Sequence, residues 1–207
     1  MAPKIVDKEA KRRHIARVAS KVFGEKGFER TRMEDVARFA GVGKGTLYEY
    51  FADKEALMED SLEVFLGDME AAAFAALDPE RSPLDNLRRL SSATVALMAD
   101  MSEDYPFFLE YMLHVARTKG EFPVLRRTLH AFRQALSELL SAAAQDGDVR
   151  QDVNVEAAAA ALAAWFDGAI LHWVVLPQGP SLQQMGDSFF DMTLRGLLTD
   201  DARGDAA

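Results

Sequence analysis

Residues 31–54 read TRMEDVARFAGVGKGTLYEYFADK and bring cationic and hydroxyl donors together at helix-sized spacings: Thr31 and Arg32, then Lys44, Thr46, Tyr48, Tyr50 and Lys54. Thr31-Arg32 and Lys44-Gly45-Thr46 both stand where a helix would begin, and the free N–H groups of a helix N-terminus bind anions. The chemistry in view is recognition of a polyanion, not bond making. Gly41-Val42-Gly43-Lys44-Gly45-Thr46 invites comparison with a phosphate-binding loop, which requires GxxxxGK[ST] after a strand. Arg38 stands five before Gly43, Gly45 follows Lys44 and the preceding segment has a helical pattern, so the loop does not fit. His14, His114, His130 and His172 make no HExxH or other short metal spacing, and there is no GxSxG elbow and no cysteine. No enzyme constellation, metal site or cofactor is expected.

Two short helices, over 33–40 and 44–50, must position these donors. Ala37 is small enough to let them cross closely; Val36, Ala40, Val42 and Leu47 fill the space between them. Gly41 supplies the positive φ that a three-residue turn requires. This is a helix-turn-helix, a motif whose second helix lies in the major groove of DNA with its N-terminal residues at base edges.

Charge supports that division of labour. The chain has 207 residues and a net charge of −9, which taken alone argues against nucleic acid. Residues 1–54, however, hold 13 Lys/Arg against 8 Asp/Glu, a balance of +5, and residues 55–207 carry −14. The expected organisation is therefore a DNA-binding domain over 1–54 and a regulatory domain over 55–207 whose acidic surface repels phosphate. Lys4, Lys8, Lys11, Arg12 and Arg13 form a basic arm ahead of the motif.

Everything else is helical in pattern: 33 alanines, and apolar residues at three- and four-residue steps. Stops and caps follow in order. Gly27 ends the first helix, Thr31 with Glu34 has the form of a capping box, Asp53 caps a long helix, and Ser82-Pro83, Pro106, Asn154 and Ser181 with Gln184 open later ones. An all-α fold of about nine helices is predicted. The N-terminus has no apolar run with a cleavage site, and the lack of cysteine agrees with a reducing compartment, so a cytoplasmic protein is expected. Residues 157–177 have the length of a membrane span, but Asp167 sits in the middle and seven of the first eight residues are alanine. That helix is expected to be buried in protein.

The run IARVASKVFGEKGFERTRMEDVARFAGVGKGTLYEYFADKEAL, from Ile15 to Leu57, resembles the DNA-binding domain of the tetracycline-repressor (TetR) family of bacterial transcription regulators. The shared features are Phe23 with Gly27-Phe28, Asp35-Val36-Ala37, Ala40-Gly41-Val42, Lys44-Gly45-Thr46-Leu47-Tyr48, and Tyr50-Phe51 before Asp53-Lys54-Glu55. Two positions depart from the pattern: Gly43, where the family often has serine, and Tyr50, where it often has histidine. The resemblance implies base-edge contacts from Lys44, Gly45 and Thr46, mixed base and backbone contact from Tyr48, and phosphate contacts from Tyr50, Lys54, Thr31 and Arg32. Phe51 is expected to pack in the core.

The resemblance further implies a homodimer on palindromic operator DNA and a small-molecule effector enclosed among the middle helices. Met98, Met101, Phe108, Tyr111, Met112, Phe166 and Trp173 are candidates to line that cavity, with His114 and Asp167 as polar pointers on otherwise apolar faces. Asp167 is left with two roles, pairing across the dimer or holding a cationic ligand. On the penultimate helix Ala161, Ala164, Gly168, Leu171 and Val175 make a small, smooth face; with Met185, Phe189 and Met192 of the last helix they form the expected dimer interface. The implied function is a repressor released from its operator by a lipophilic effector. Activation of transcription, and a helical ligand carrier with a vestigial head, are the alternatives.

Overall fold

The structure, a computed structural model, describes residues 7–100, 102–118, 120–176, 178–199 and 202. Among these residues there are nine α-helices: α1 (Lys8–Lys26), α2 (Met33–Phe39), α3 (Lys44–Tyr50), α4 (Lys54–Phe74), α5 (Pro83–Asp100), α6 (Tyr105–Thr118), α7 (Pro123–Gln145), α8 (Val155–Val175) and α9 (Leu182–Leu197). The all-α expectation holds; among the described residues the extended backbone that pairs is a single bridge, Val149 with Leu198.

Local chemistry sets most boundaries. Asp7 accepts the N–H groups of Glu9 and Ala10 to start α1, and Gly27 at φ +80° ends it, its N–H bonded to the Phe23 carbonyl. The Asp53 carboxylate accepts Ala56 N–H at 2.7 Å, Ser82 Oγ accepts Asp85 N–H at 3.1 Å and Asn154 Oδ1 accepts Ala157 N–H at 3.0 Å. Ser181 and Gln184 form the reciprocal box that opens α9. Thr31 does not cap. It is buried, and its hydroxyl donates to the Gly27 carbonyl at 2.8 Å, leaving Asp35 to reach back to Arg32 N–H at 3.4 Å.

The chain divides into two compact units, one running to Asp68 and including Glu103–Arg126, the other made of Met69–Ser102 and the residues from Arg127 onward. The first unit therefore does not stop at residue 54. Its core joins Ile15, Val22, Phe23, Val36 and Leu47 to Leu57, Met58 and Leu62 of α4 and to Phe107, Tyr111 and Val115 of α6. A 54-residue head lacks those apolar partners, and so small a domain buries too little surface to be amply stable without them.

In the second unit Leu84, Leu87 and Leu90 of α5 pack with Leu136 and Leu140 of α7, Leu162 of α8 and Leu194 of α9. α5 and α9 cross closely at Gly186, where a Cβ would lie 2.9 Å from Val95 Cγ2. Trp165 stacks on Phe189 at 4.4 Å, and Phe166 packs edge-on to Phe132. α8 buries Ala159, Leu162, Phe166, Ala169 and Ile170 and leaves Ala161, Ala164, Gly168, Leu171 and Val175 exposed. Among the described residues α8 is the one helix long and apolar enough to cross a membrane by length and composition. Within a single chain it is buried on one side only.

Candidate nucleic-acid interface

The helix-turn-helix forms because its inner residues leave no choice of face. Val36 and Leu47 are wholly buried, with Met33, Ala37 and Ala40 beside them. Gly41 takes φ +65°, and Val42 N–H donates back to the Ala37 carbonyl at 2.9 Å, folding the chain between α2 and α3. The Nε2 of His14 on α1 lies 3.3 Å from the Ala40 carbonyl and ties the turn to the rest of the unit. Gly43 begins α3 without a side-chain cap.

The N-terminal turn of α3 faces solvent. Gly43, Lys44 and Gly45 are exposed, Thr46 is half-buried, and a Cβ at Gly45 would meet nothing within 4 Å. Tyr48 is 45 % exposed, while Phe51 is buried at 2 %, so the two aromatic residues divide as surface and core. Tyr50 is half-buried with its ring 6.4 Å from that of Phe51. Arg32 is exposed at the start of α2. This surface offers backbone N–H groups, a lysine, a threonine and two tyrosine hydroxyls, the donor set that phosphates and base edges accept.

Lys44 is not idle. Its Nζ lies 2.5 Å from Oε1 of Glu34 on α2, and this hydrogen bond raises the lysine's pKa and lowers that of the carboxylate. Sequence spacing places Glu34 ten residues before Lys44 and gives no local sign of the pair.

Three expectations need correction. Thr31 cannot meet a phosphate through its hydroxyl, which is buried and already donating. Lys54 points inward: its Nζ donates to the Phe28 carbonyl at 2.8 Å and lies 4.2 Å above the Phe28 ring. Of the basic arm, Lys4 lies outside the described residues, and Lys8, Lys11, Arg12 and Arg13 belong to α1. Arg12 pairs with Asp60, its Nε 3.0 Å from Oδ1, and Arg13 and Arg17 pair with Asp68. Two of the arm's charges are thus engaged by α4 carboxylates.

A family profile of bacterial regulatory proteins of the tetR family matches residues 15–60, and a second, the BetI-type transcriptional repressor C-terminal region, matches residues 83–197. This chain belongs to the tetR family. Among the TetR proteins it resembles is the transcriptional repressor KstR2 of Mycolicibacterium smegmatis, 25 % identical over 95 % of this chain and 96 % of that one. Solved TetR folds agree. The fatty acid degradation regulator FadR of Bacillus halodurans superposes with a TM-score of 0.76 at 20 % identity, covering 90 % of this chain and 96 % of that one. FadR of Bacillus subtilis, in complex with stearoyl-CoA, superposes with a TM-score of 0.71 at 19 % identity, covering 89 % and 98 %. The chain is a DNA-binding transcriptional regulator.

The residues suggested for an effector cavity in this TetR regulator fall into two groups. Phe108, Tyr111, Met112 and His114 belong to the first unit; Met98, Phe166, Asp167 and Trp173 belong to the second, and Met101 lies outside the described residues. Tyr111 is core, its ring 6.4 Å from Phe122 and its phenol pushed up in pKa by burial. His114 sets its ring 3.9 Å from that of Phe28. Phe166 packs among Phe132, Trp165 and Phe190. Asp167 is not on a buried face. It stands exposed beside Ala164 and Leu171, although the protein atoms beneath it still raise its pKa. Met192 is 66 % exposed, and Met185 and Phe189 are half-buried.

Proposed function

We propose that this regulator is a cytoplasmic homodimeric repressor that holds a palindromic operator and leaves it when a small lipophilic molecule binds the helices that follow residue 54. Residues 1–54 carry the DNA contacts and residues 55–207 the sensing and dimerising functions. The observation that supports the reading most strongly is the exposed N-terminal turn of α3, anchored from behind by fully buried Leu47. Lys44, Gly45 and Thr46 read base edges, Tyr48 spans base and backbone, and Arg32 and Tyr50 hold phosphates.

A dimer follows from the apolar surface that α8 and α9 leave open. Ala161, Ala164, Gly168, Leu171 and Val175 recur at three- and four-residue steps, a spacing that lets a second helix lie close. Met185, Phe189 and Met192 continue that surface on α9, and two helices from each copy make a four-helix interface. Lipid is the poorer partner, because Asp167 beside the stripe would cost about 2.5–3.5 kcal/mol at the centre of a membrane helix. The twofold sets two recognition helices one DNA turn apart, about 34–36 Å. The stearoyl-CoA held by the Bacillus subtilis relative supports a lipophilic effector.

The test is a gel shift on the DNA upstream of the protein's own gene at moderate salt. Specific binding that Lys44→Ala weakens is expected; binding no tighter than to random duplex would overturn the reading.

A further inference from the structure

α5 and α9 leave between them a groove of about 690 Å³, open to solvent along one side. That volume lies within the range of small-molecule sites, about 300–1,000 Å³. Val95 meets Gly186 near the start of α9, and residues through Leu198 line the same groove, so the two helices run antiparallel along it. Arg88 therefore stands toward the Leu194 and Leu198 end. Phe190 and Ser92 lie at the middle, and Val95 closes the far end. By helical rise the span from Arg88 to Val95 is about 10 Å, the length of a medium alkyl chain.

The charges in the groove are unevenly engaged. Asp191 accepts Arg195 Nε at 2.9 Å, and Asp187 accepts Gln183 Nε2 at 2.8 Å. Arg88, half-buried, has no hydrogen bond or ion pair among the described residues. A half-buried guanidinium with its fork unused is a site for a planar anion, which it binds through two parallel N–H···O bonds. The neighbouring floor of Val95, Phe190 and Leu194 is apolar and wants hydrocarbon.

We propose that the α5–α9 groove binds a small amphipathic carboxylate, its head group on Arg88 and its chain over Phe190 toward Val95. None of the residues suggested for the effector cavity lines this groove. Nor does the dimer face: at 3.6 residues per turn Met185, Phe189 and Met192 project from the edge of α9 opposite Gln183, Asp187 and Asp191. The groove thus stays open in the proposed dimer, and its occupancy does not depend on whether the occupant releases DNA.

Isothermal titration of the full-length protein with decanoate, decanol and decyltrimethylammonium, each below its micelle-forming concentration, tests this. Decanoate is expected to bind about tenfold or more tightly than either of the others, and Arg88→Gln to erase that advantage. Ser92→Trp, an exposed position whose new side chain fills the groove, is expected to abolish decanoate binding while the circular dichroism spectrum and urea midpoint stay those of the parent. Equal binding of decanoate and decanol, or a decanoate preference that survives Arg88→Gln, overturns the proposal, as does decanoate binding that survives Ser92→Trp. Operator affinity of Arg88→Gln without ligand is measured alongside; it should match the parent, so failure of the groove and failure of the repressor reading give different results.

Discussion

The carboxylate of Glu110 on α6 accepts the backbone N–H of Phe28 at 2.6 Å, across 82 residues of chain. Phe28 is gripped on every side: its carbonyl accepts Lys54 Nζ at 2.8 Å, and its ring lies 3.9 Å from that of His114. Gly27 makes the turn into this loop possible, since its φ of +80° suits no other residue well. The loop that sets where α2 begins is therefore held by α6 and by the first residue of α4.

Glu110→Ala should lower both stability and operator affinity. It leaves the Phe28 N–H without its acceptor in a part-buried site, a loss of about 1–3 kcal/mol. Glu110→Gln keeps an acceptor and should recover most of it. Urea melts and gel shifts on the three proteins check this, and an alanine variant as stable as the parent would show that the bond carries no weight.

Glu34 holds Lys44 in the free protein, and in the proposed complex it would compete with DNA for that lysine. Removing its charge with Glu34→Gln should strengthen binding to every duplex, operator or not, with an effect that shrinks as salt screens it. Because the carboxyl is held below its ordinary pKa and the lysine above, both stay charged, and the effect should be flat between about pH 6 and 8. Lys44→Ala should instead cost about 1–3 kcal/mol at the bases it contacts and change sequence preference. Anisotropy titrations on an operator and its single-base variants separate the two patterns; uniform losses for Lys44→Ala would remove it from base readout.

The parts of this fold that were legible in the sequence are those decided within a few residues. Gly41 announces its positive φ, Ala37 and Leu47 announce a close crossing, and Asp53, Asn154 and Ser181 each cap a helix three residues ahead. The failures have a different range. Thr31 has the right spacing to cap α2, yet the Gly27 carbonyl offers its hydroxyl a better partner. Lys54 matches a phosphate contact in type and position, and Arg12 and Arg13 look like a free arm. Their partners, Phe28, Asp60 and Asp68, stand 26 to 55 residues away, beyond any local pattern. The apolar residues that complete the core around the helix-turn-helix come from still farther along the chain, Phe107, Tyr111 and Val115 of α6.

The open face of α8 and α9 can be tested where it is most exposed. Leu171 is 48 % and Met192 66 % exposed, so a charge at either position costs the folded chain little but cannot be buried against a second copy. Leu171→Glu and Met192→Glu should each sediment as monomers with parental helicity and bind operator only as weakly as a half-site. Variants that remain dimeric would place the interface elsewhere.

Asp167 stands beside that face, and its surroundings raise its carboxyl pKa by desolvation. For an acid this means that the folded protein holds the proton more tightly than the unfolded chain. The cost of ionising Asp167 is then absent below the ordinary aspartate value of about 3.9, grows as pH rises from there to the raised value, and is complete above it. Asp167→Asn removes the cost. Its urea midpoint should exceed the parent's at pH 7.5, with a gap that closes as the pH is lowered through that window, and its dimer should dissociate less readily at neutral pH if the second copy covers the position. A gap of constant size at all pH values would mean that the asparagine acts through packing and not through charge; an asparagine variant less stable than the parent at pH 7.5 would mean that the carboxylate has a partner across the interface.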